Sequence, residues 1–247
     1  MALRIADIPP DRRAALNSGA EASNLTECLA VDFAALMRAA FPALAPHSAR
    51  MEAEAKAGIT RRMALAAELA DEAGLAPDAL ARHGSDTVRG WACFLLARPE
   101  MTISERLAAL RPLADDAHFG VREWAWLALR PHTIADLSGT LDALVPWTAD
   151  PSPNLRRFAS EATRPRGVWC AHIKALKAAP APALPILEPL RADPAPYVQD
   201  SVANWLNDAS KDNPGWVRTT CARWQAESPA PETARIARRA LRTIGAG

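Results

Sequence analysis

Residues 150–165 read Asp150-Pro151-Ser152-Pro153-Asn154-Leu155-Arg156-Arg157-Phe158-Ala159-Ser160-Glu161-Ala162-Thr163-Arg164-Pro165. The Asp-Pro-Ser-Pro opening supplies caps and a first-turn proline for a helix. Leu155, Phe158, Ala159 and Ala162 then fall at helical spacing and form one apolar stripe, and Pro165 closes the unit. The same plan recurs on both sides. Ser85-Asp86-Thr87-Val88-Arg89 runs to Arg98-Pro99, and Val121-Arg122 runs to Arg130-Pro131 over the stripe Val121, Trp124, Ala125 and Ala128. Val198-Gln199 runs to Asp208 over Val198, Val202, Trp205 and Leu206, and a degenerate copy begins near Ala234-Arg235. The register positions 88, 121, 155, 198 and 234 stand 33, 34, 43 and 36 residues apart, close to the roughly 40 of paired-helix repeats.

Between these units lie partner helices, predicted near 104–114, 138–148, 170–178, 183–191 and 214–226, so consecutive helices are short-looped and antiparallel. The predicted fold is therefore all-α. It is a HEAT-like repeat solenoid of antiparallel helix pairs, curved so that one face is concave. A single domain over 1–247 is expected, with regular repeats in 85–247 and an irregular helical part in 1–84. In that first part the segments near 10–17, 30–41, 49–56, 59–73 and 77–83 read as helices, and Gly74 and Gly84 suit helix ends.

Composition agrees. The chain of 247 residues is 49% hydrophobic, dominated by Ala and Leu and poor in the β-branched and aromatic residues that fill strands. Cys28, Cys93, Cys170 and Cys221 lie far apart with no C-x-x-C pair and no secretory segment ahead of them, which predicts a reduced, cytoplasmic protein. No apolar run approaches the roughly 20 residues of a membrane span. Net charge is +1, yet 1–150 holds 15 basic and 20 acidic residues while 151–247 holds 14 and 8. The basic C-terminal part suits an anionic partner or is simply a solvated face.

Arg89, Arg122 and Arg156 hold one repeat position and have two readings. They bridge neighbouring repeats through acidic turn residues, or they form a row of phosphate contacts, and the two roles are compatible. Three polar features stand apart from the core. Glu161 is flanked by Arg157 and Arg164 on the face opposite Leu155 and Phe158. Asp200, Asn204 and Asp208 form an i, i+4 stripe opposite Val202 and Trp205, with Lys211 the nearest cation. Glu123 is set among Trp124 and Trp126 on the same helix, whose rings point apart, so one is expected to be exposed. Each has an ordinary reading as a solvated face or surface ion pair. His47, His83, His118, His132 and His172 show no metal-ligand spacing with one another or with cysteine, and there is no phosphate loop or G-x-S-x-G elbow. No metal and no cofactor are expected.

The stretches 121–125, 155–166 and 197–208, above all Ser160-Glu161-Ala162-Thr163-Arg164-Pro165-Arg166 followed by Trp169, resemble the HEAT-like DNA alkylation repair glycosylases, in particular the AlkC branch related to AlkD. The likeness is strongest over about 85–215. It implies a monofunctional DNA N-glycosylase of base excision repair, acting on double-stranded DNA. Such an enzyme excises cationic alkylated bases, 3-methyladenine and as a further candidate 3-methylcytosine, without base flipping and without a cofactor. Carried over by motif, Glu161 and Asp208 are the acidic pair at the lesion, Trp169 stands against the deoxyribose, and Glu123 is a further acidic group. Arg157, Arg164, Arg166, Asn204, Lys211 and Trp126 are the expected DNA contacts. Some relatives carry an immunoglobulin-like domain after the helices, and its DNA contacts are expected to be absent here or replaced. An open groove needs no second copy, so a monomer is expected. The alternatives are a non-catalytic binder of DNA structures and a protein scaffold, since repeat folds host many functions.

Overall fold

The computed structural model describes residues 4–97 and 100–245. These are helical or irregular, with no strand among them, in line with the all-α, HEAT-like reading. They pack as two compact units, 1–128 and 129–247. No helix among the described residues is long and apolar enough to cross a membrane.

The first unit holds α1 (Pro10–Asn17), α2 (Leu25–Ala30), α3 (Phe33–Ala40), α4 (Ser48–Ala53), α5 (Ile59–Glu72), α6 (Pro77–Ala81), α7 (Asp86–Leu96), α8 (Ile103–Ala114) and the start of α9 (Phe119–Ala135). The second holds the end of α9, then α10 (Leu137–Leu144), α11 (Pro153–Ala162), α12 (Lys174–Ala178), α13 (Leu184–Leu187), α14 (Pro196–Ser210), α15 (Pro214–Glu227) and α16 (Pro231–Ala240). Prolines at the first helical position open α1, α6, α11, α14, α15 and α16, where a missing N–H costs nothing. Thr102 and Glu105 close a reciprocal capping box on α8, and the Asp136 side chain caps α10.

Within the first unit α7 packs against α5, α6 and α8. Gly90 permits this, because a Cβ there would stand 2.6 Å from the Trp124 ring and 2.7 Å from Met63. Within the second unit α11, α14 and α16 lie side by side, with α13 against α11 and α15 against both α14 and α16. Every member of the three apolar stripes read from 121, 155 and 198 is buried.

One device repeats with the register. Asp116, Asp150 and Asp193 each accept an N–H from the residue two positions on, and His83 Nδ1 does the same for Ser85. Six positions after each comes a long polar side chain that donates back to the same residue's carbonyl. Arg89 reaches His83 O at 2.9 Å, Arg122 reaches Asp116 O at 2.6 Å, Arg156 reaches Asp150 O at 2.8 Å, and Gln199 reaches Asp193 O at 2.8 Å. Arg89 also forks onto the Asp116 carboxylate and Arg156 onto Asp193, so each arginine seals its own turn and the next one. Where Gln199 replaces arginine, its carbonyl oxygen accepts from Arg235 of the following helix. Of the two readings open for Arg89 and Arg156, repeat bridging is what the fold uses.

Several sequence expectations change. Pro131 does not end its helix: α9 runs on to Ala135, because a proline removes one backbone N–H without preventing later turns. The expected closure at Arg98-Pro99 lies outside the described residues. The helix predicted at 170–178 is only α12, and 183–191 reduces to a 3-10 turn plus α13, since Pro180, Pro182 and Pro185 strip the segment of donors. Gly74 takes a left-handed φ of 71°, whereas Gly84 does not. Trp124 and Trp126 are both buried, so the exposed ring expected there is absent.

Candidate active site

Glu161 sits in the last turn of α11, where the helix wheel alone puts it on the polar face. The neighbouring α14 covers that face, and Glu161 is only 3% exposed. A buried carboxylate must be paired and hydrogen-bonded, and this one is. Oε1 accepts from Arg164 Nη1 at 2.5 Å, Oε2 accepts from the Ser201 hydroxyl at 2.6 Å, and Arg157 Nη2 stands 3.5 Å from Oε2. Ser201 is also 2.7 Å from Ser160 Oγ. Burial works against the Glu161 charge, but Arg157, Arg164 and the Ser201 hydroxyl outweigh it and hold the carboxyl below the usual carboxylate range.

Asp208, 5% exposed on α14, is the second carboxylate. Its Oδ2 accepts from Arg164 Nε at 2.9 Å and Nη2 at 2.7 Å, and Lys211 Nζ lies 3.1 Å from Oδ1. One guanidinium thus joins the acidic pair, with Nη1 on Glu161 and its other edge on Asp208. Burial opposes the Arg164 charge, and the two carboxylates more than offset it, so Arg164 stays firmly protonated.

Other expected site residues of this unit have partners of their own. Arg166 forks onto Asp212 at 2.8 and 2.9 Å, Asn204 Oδ1 accepts from Arg242 at 2.9 Å, and the Arg157 guanidinium lies 4.4 Å from the centre of the Tyr197 ring. Asp200 pairs with Arg235 and Arg239, so the α14 stripe is matched by arginine at each step. After Arg164 the chain forms a loop, tied by Ile173 N–H to Pro165 O at 3.0 Å. It exposes Val168 at 85% and Trp169 at 37%. Glu123 and Trp126 belong to the first unit, where the buried Trp126 indole donates to Glu123 Oε2 at 2.8 Å.

Two residues escaped the sequence reading. Ser201 lies three and seven positions before Asn204 and Asp208 on one helical face, a spacing that was available to be read. Arg130 gave no such signal. It is fully buried, donates from Nε to Ala171 O at 2.9 Å and from Nη1 to Ala162 O at 3.2 Å, and so pins both sides of the Trp169 loop. Its Nη2 has no hydrogen-bond partner.

The geometry defines a class: a HEAT-like helical repeat protein with an arginine-bridged pair of buried carboxylates, followed along the chain by a loop that exposes Trp169. Known proteins place it further. No family model matches the chain. It is 41% identical over 117 residues, 47% of its length, to the uncharacterized protein YhaZ of Bacillus subtilis, of which the match covers 32%. Among solved structures, the Pseudomonas fluorescens alkylpurine DNA glycosylase AlkC, bound to DNA containing an abasic site analog, superposes with a TM-score of 0.70 at 28% identity. That match covers 94% of this chain and 64% of AlkC. AlkD2 from Streptococcus mutans gives 0.57 at 23% identity over 79% of this chain and 87% of its own. A second Streptococcus mutans protein, smu.31, gives 0.58 at 23% over 86% and 98%. The two streptococcal proteins match in fold. The chain resembles the HEAT-like DNA alkylation repair proteins of the AlkC and AlkD kind, and it spans less than two thirds of AlkC and about a third of YhaZ.

Proposed function

We propose that this protein is a DNA glycosylase acting on alkylated DNA, with Glu161, Asp208 and Trp169 at the reacting sugar. The observation that carries the reading is the Glu161–Arg164–Asp208 cluster, set on repeat helices similar to those of AlkC. An alkylated base such as 3-methyladenine or 3-methylcytosine already bears positive charge. When the C1′–N bond breaks, its electron pair goes to the base and neutralises it, and the charge passes to an oxocarbenium-like sugar. Water then bonds to C1′ and releases a proton. A carboxylate held ionised by Arg164 and Arg157 is a poor proton acceptor but a good fixed negative charge, so Glu161 acts by electrostatic stabilisation and not as general base. Asp208, held by Arg164 and Lys211, adds a second fixed negative charge and orients the water, and Glu123 is a further acidic group. Trp169 offers an indole face to the cationic sugar.

The reading includes a monofunctional, cofactor-free reaction on a base that is not flipped into a pocket, performed by a monomer in the cytoplasm. Arg157, Arg164, Arg166, Asn204, Lys211 and Trp126 are the proposed DNA contacts, drawing on the 14 basic against 8 acidic residues of 151–247. One observation favours a second reading, a non-catalytic binder of DNA structures: both carboxylates are already bonded to cations or hydroxyls. The deciding experiment is release of 3-methyladenine from methylated duplex DNA by the purified protein. Release supports the glycosylase, salt-dependent binding without release supports the binder, and neither would leave a protein scaffold.

A further inference from the structure

The first unit brings together three side chains that the proposed glycosylase chemistry does not use. Cys28 of α2, Asp86 at the start of α7 and His118 just before α9 present Sγ, a carboxylate oxygen and a ring nitrogen within 4.8 Å of one another. Cys28 Sγ is 3.5 Å from Asp86 Oδ2, and His118 Nδ1 is 3.8 Å from the same oxygen. Tetrahedral zinc, with Zn–S of about 2.3 Å and Zn–N and Zn–O of about 2.0–2.2 Å, sets its ligand atoms roughly 3.3–3.6 Å apart. Two of the three separations therefore need at most a few tenths of an ångström.

The surrounding bonds orient the three atoms. His118 Nε2 lies 2.7 Å from Ala22 O, which only accepts, so Nε2 carries the hydrogen. Nδ1 accepts Gly120 N–H at 3.2 Å, so its lone pair lies on that side of the ring. Ala22 N–H in turn donates to Asp86 Oδ1 at 2.9 Å, which turns Oδ2 toward Cys28 and His118. A single residue thus fixes two of the three groups, the outer-shell arrangement typical of metal-bound histidine and carboxylate. Asp86 is 1% exposed, and its inward oxygen faces the weak thiol donor of Cys28 and the His118 ring. Gly120 allows the approach, since a Cβ there would come within 3.1 Å of the His118 ring and 3.4 Å of Cys28 Sγ.

We propose that Cys28, Asp86 and His118 form a binding site for a divalent transition metal, with zinc the best match, and that the ion fastens the Ala22–Cys28 segment to α7 and α9. The mixed sulfur, nitrogen and oxygen donor set suits zinc over magnesium or calcium. On binding, the Cys28 thiol loses its proton to solvent. Thiolate, carboxylate and divalent ion then sum to zero charge in a buried place, and water takes the fourth tetrahedral position. The three groups take no part in the proposed glycosylase chemistry, so the site stands or falls independently of the glycosylase reading.

The test is titration of the full metal-free protein with cobalt(II), whose thiolate charge-transfer absorption reports sulfur ligation, followed by zinc competition and thermal melting. One cobalt per chain with a thiolate band, displaced by zinc and accompanied by a higher melting temperature, is expected. Cys28→Ser should abolish the band and weaken zinc by more than the roughly 10–100-fold that loss of an outer-shell partner costs. Cys170→Ser should change neither. Folded wild-type protein that binds neither ion at micromolar concentration, or a band that survives Cys28→Ser, overturns the site. Should Cys28→Ser not fold, X-ray absorption of the zinc-loaded Cys170→Ser protein decides: one sulfur among four light ligands supports the site, and no sulfur refutes it.

Discussion

Arg156 and Arg164 lie two helical turns apart, and each forks onto an aspartate of the following repeat, yet the two pairs do opposite things with their charge. Arg156 spends its remaining donors on the carbonyls of Asp150 and Pro151 and faces one carboxylate, Asp193. It is the same joint as Arg89 on Asp116, repeated with the register. Arg164 has no such carbonyls. It stands between two carboxylates, on a loop that breaks the helix pattern. Arg89 also meets a second acid, Glu21, but that carboxylate is half exposed at the surface. An extra, buried carboxylate costs desolvation that the fold alone does not require, and such surplus is where functional sites are found.

The largest expected effect follows from that surplus. Glu161→Gln keeps shape and the Ser201 hydrogen bond but removes the charge, so base release should fall by about 100–1,000-fold, the scale of losing one preorganised electrostatic group. Asp208→Asn should act in the same direction. Single-turnover release from methylated duplex measures both, and undiminished release by either variant would put the acidic pair among the structural joints.

Arg156→Ala attacks the other side of the comparison. It leaves Asp193 buried opposite no cation, which should lower stability by about 3 kcal/mol, near the low end for breaking a buried pair. Urea unfolding reads this, and base release per folded molecule should not change. If Arg156→Ala removes activity without loss of stability, the joint is itself a DNA contact.

How much of this contrast could be read from the chain depends on distance along it. The register and the buried stripes were legible because apolar residues recur at helical spacing within units 33–43 residues apart, the joints because Arg89 and Arg156 hold one repeat position, and Glu161, Arg164 and Asp208 through motif. The burial of Glu161 was not, since an isolated helix wheel knows nothing of α14 packing over it. Nor was the shortening of 183–191, where Pro185 and Pro189 override an apolar pattern. Cys28, Asp86 and His118 meet only after the irregular first helices have folded back, so no spacing announces them.

Arg164→Gln separates the two carboxylate settings by pH. In the wild type Glu161 is depressed by Arg157 and Arg164 despite its burial, so the stability it contributes is fully present above the ordinary glutamate value. That stability is lost only as pH falls through the lower folded value. Without Arg164 burial is less well opposed, so the loss should begin at higher pH. Melting temperature against pH, compared with Arg156→Ala, should show the acid limb moving in the first variant through Glu161. An unmoved limb would mean that Arg157 and Ser201 suffice to hold the charge.

Trp169→Ala should have the smallest effect and discriminates most finely. The ring is partly exposed on a loop pinned by Arg130, so removing it should leave stability within about 0.5 kcal/mol. If the indole faces a cationic sugar, the loss is on the order of 1–2 kcal/mol, or about 5–30-fold in rate. Trp169→Phe should recover part of it. The salt dependence of DNA binding should not change, because no phosphate is released from contact. Arg166→Ala, by contrast, should flatten the slope by about one if it meets a phosphate. A Trp169→Ala protein that keeps its rate but melts early would make the ring part of the loop's packing, and would leave Glu161 and Asp208 to stabilise the sugar without it.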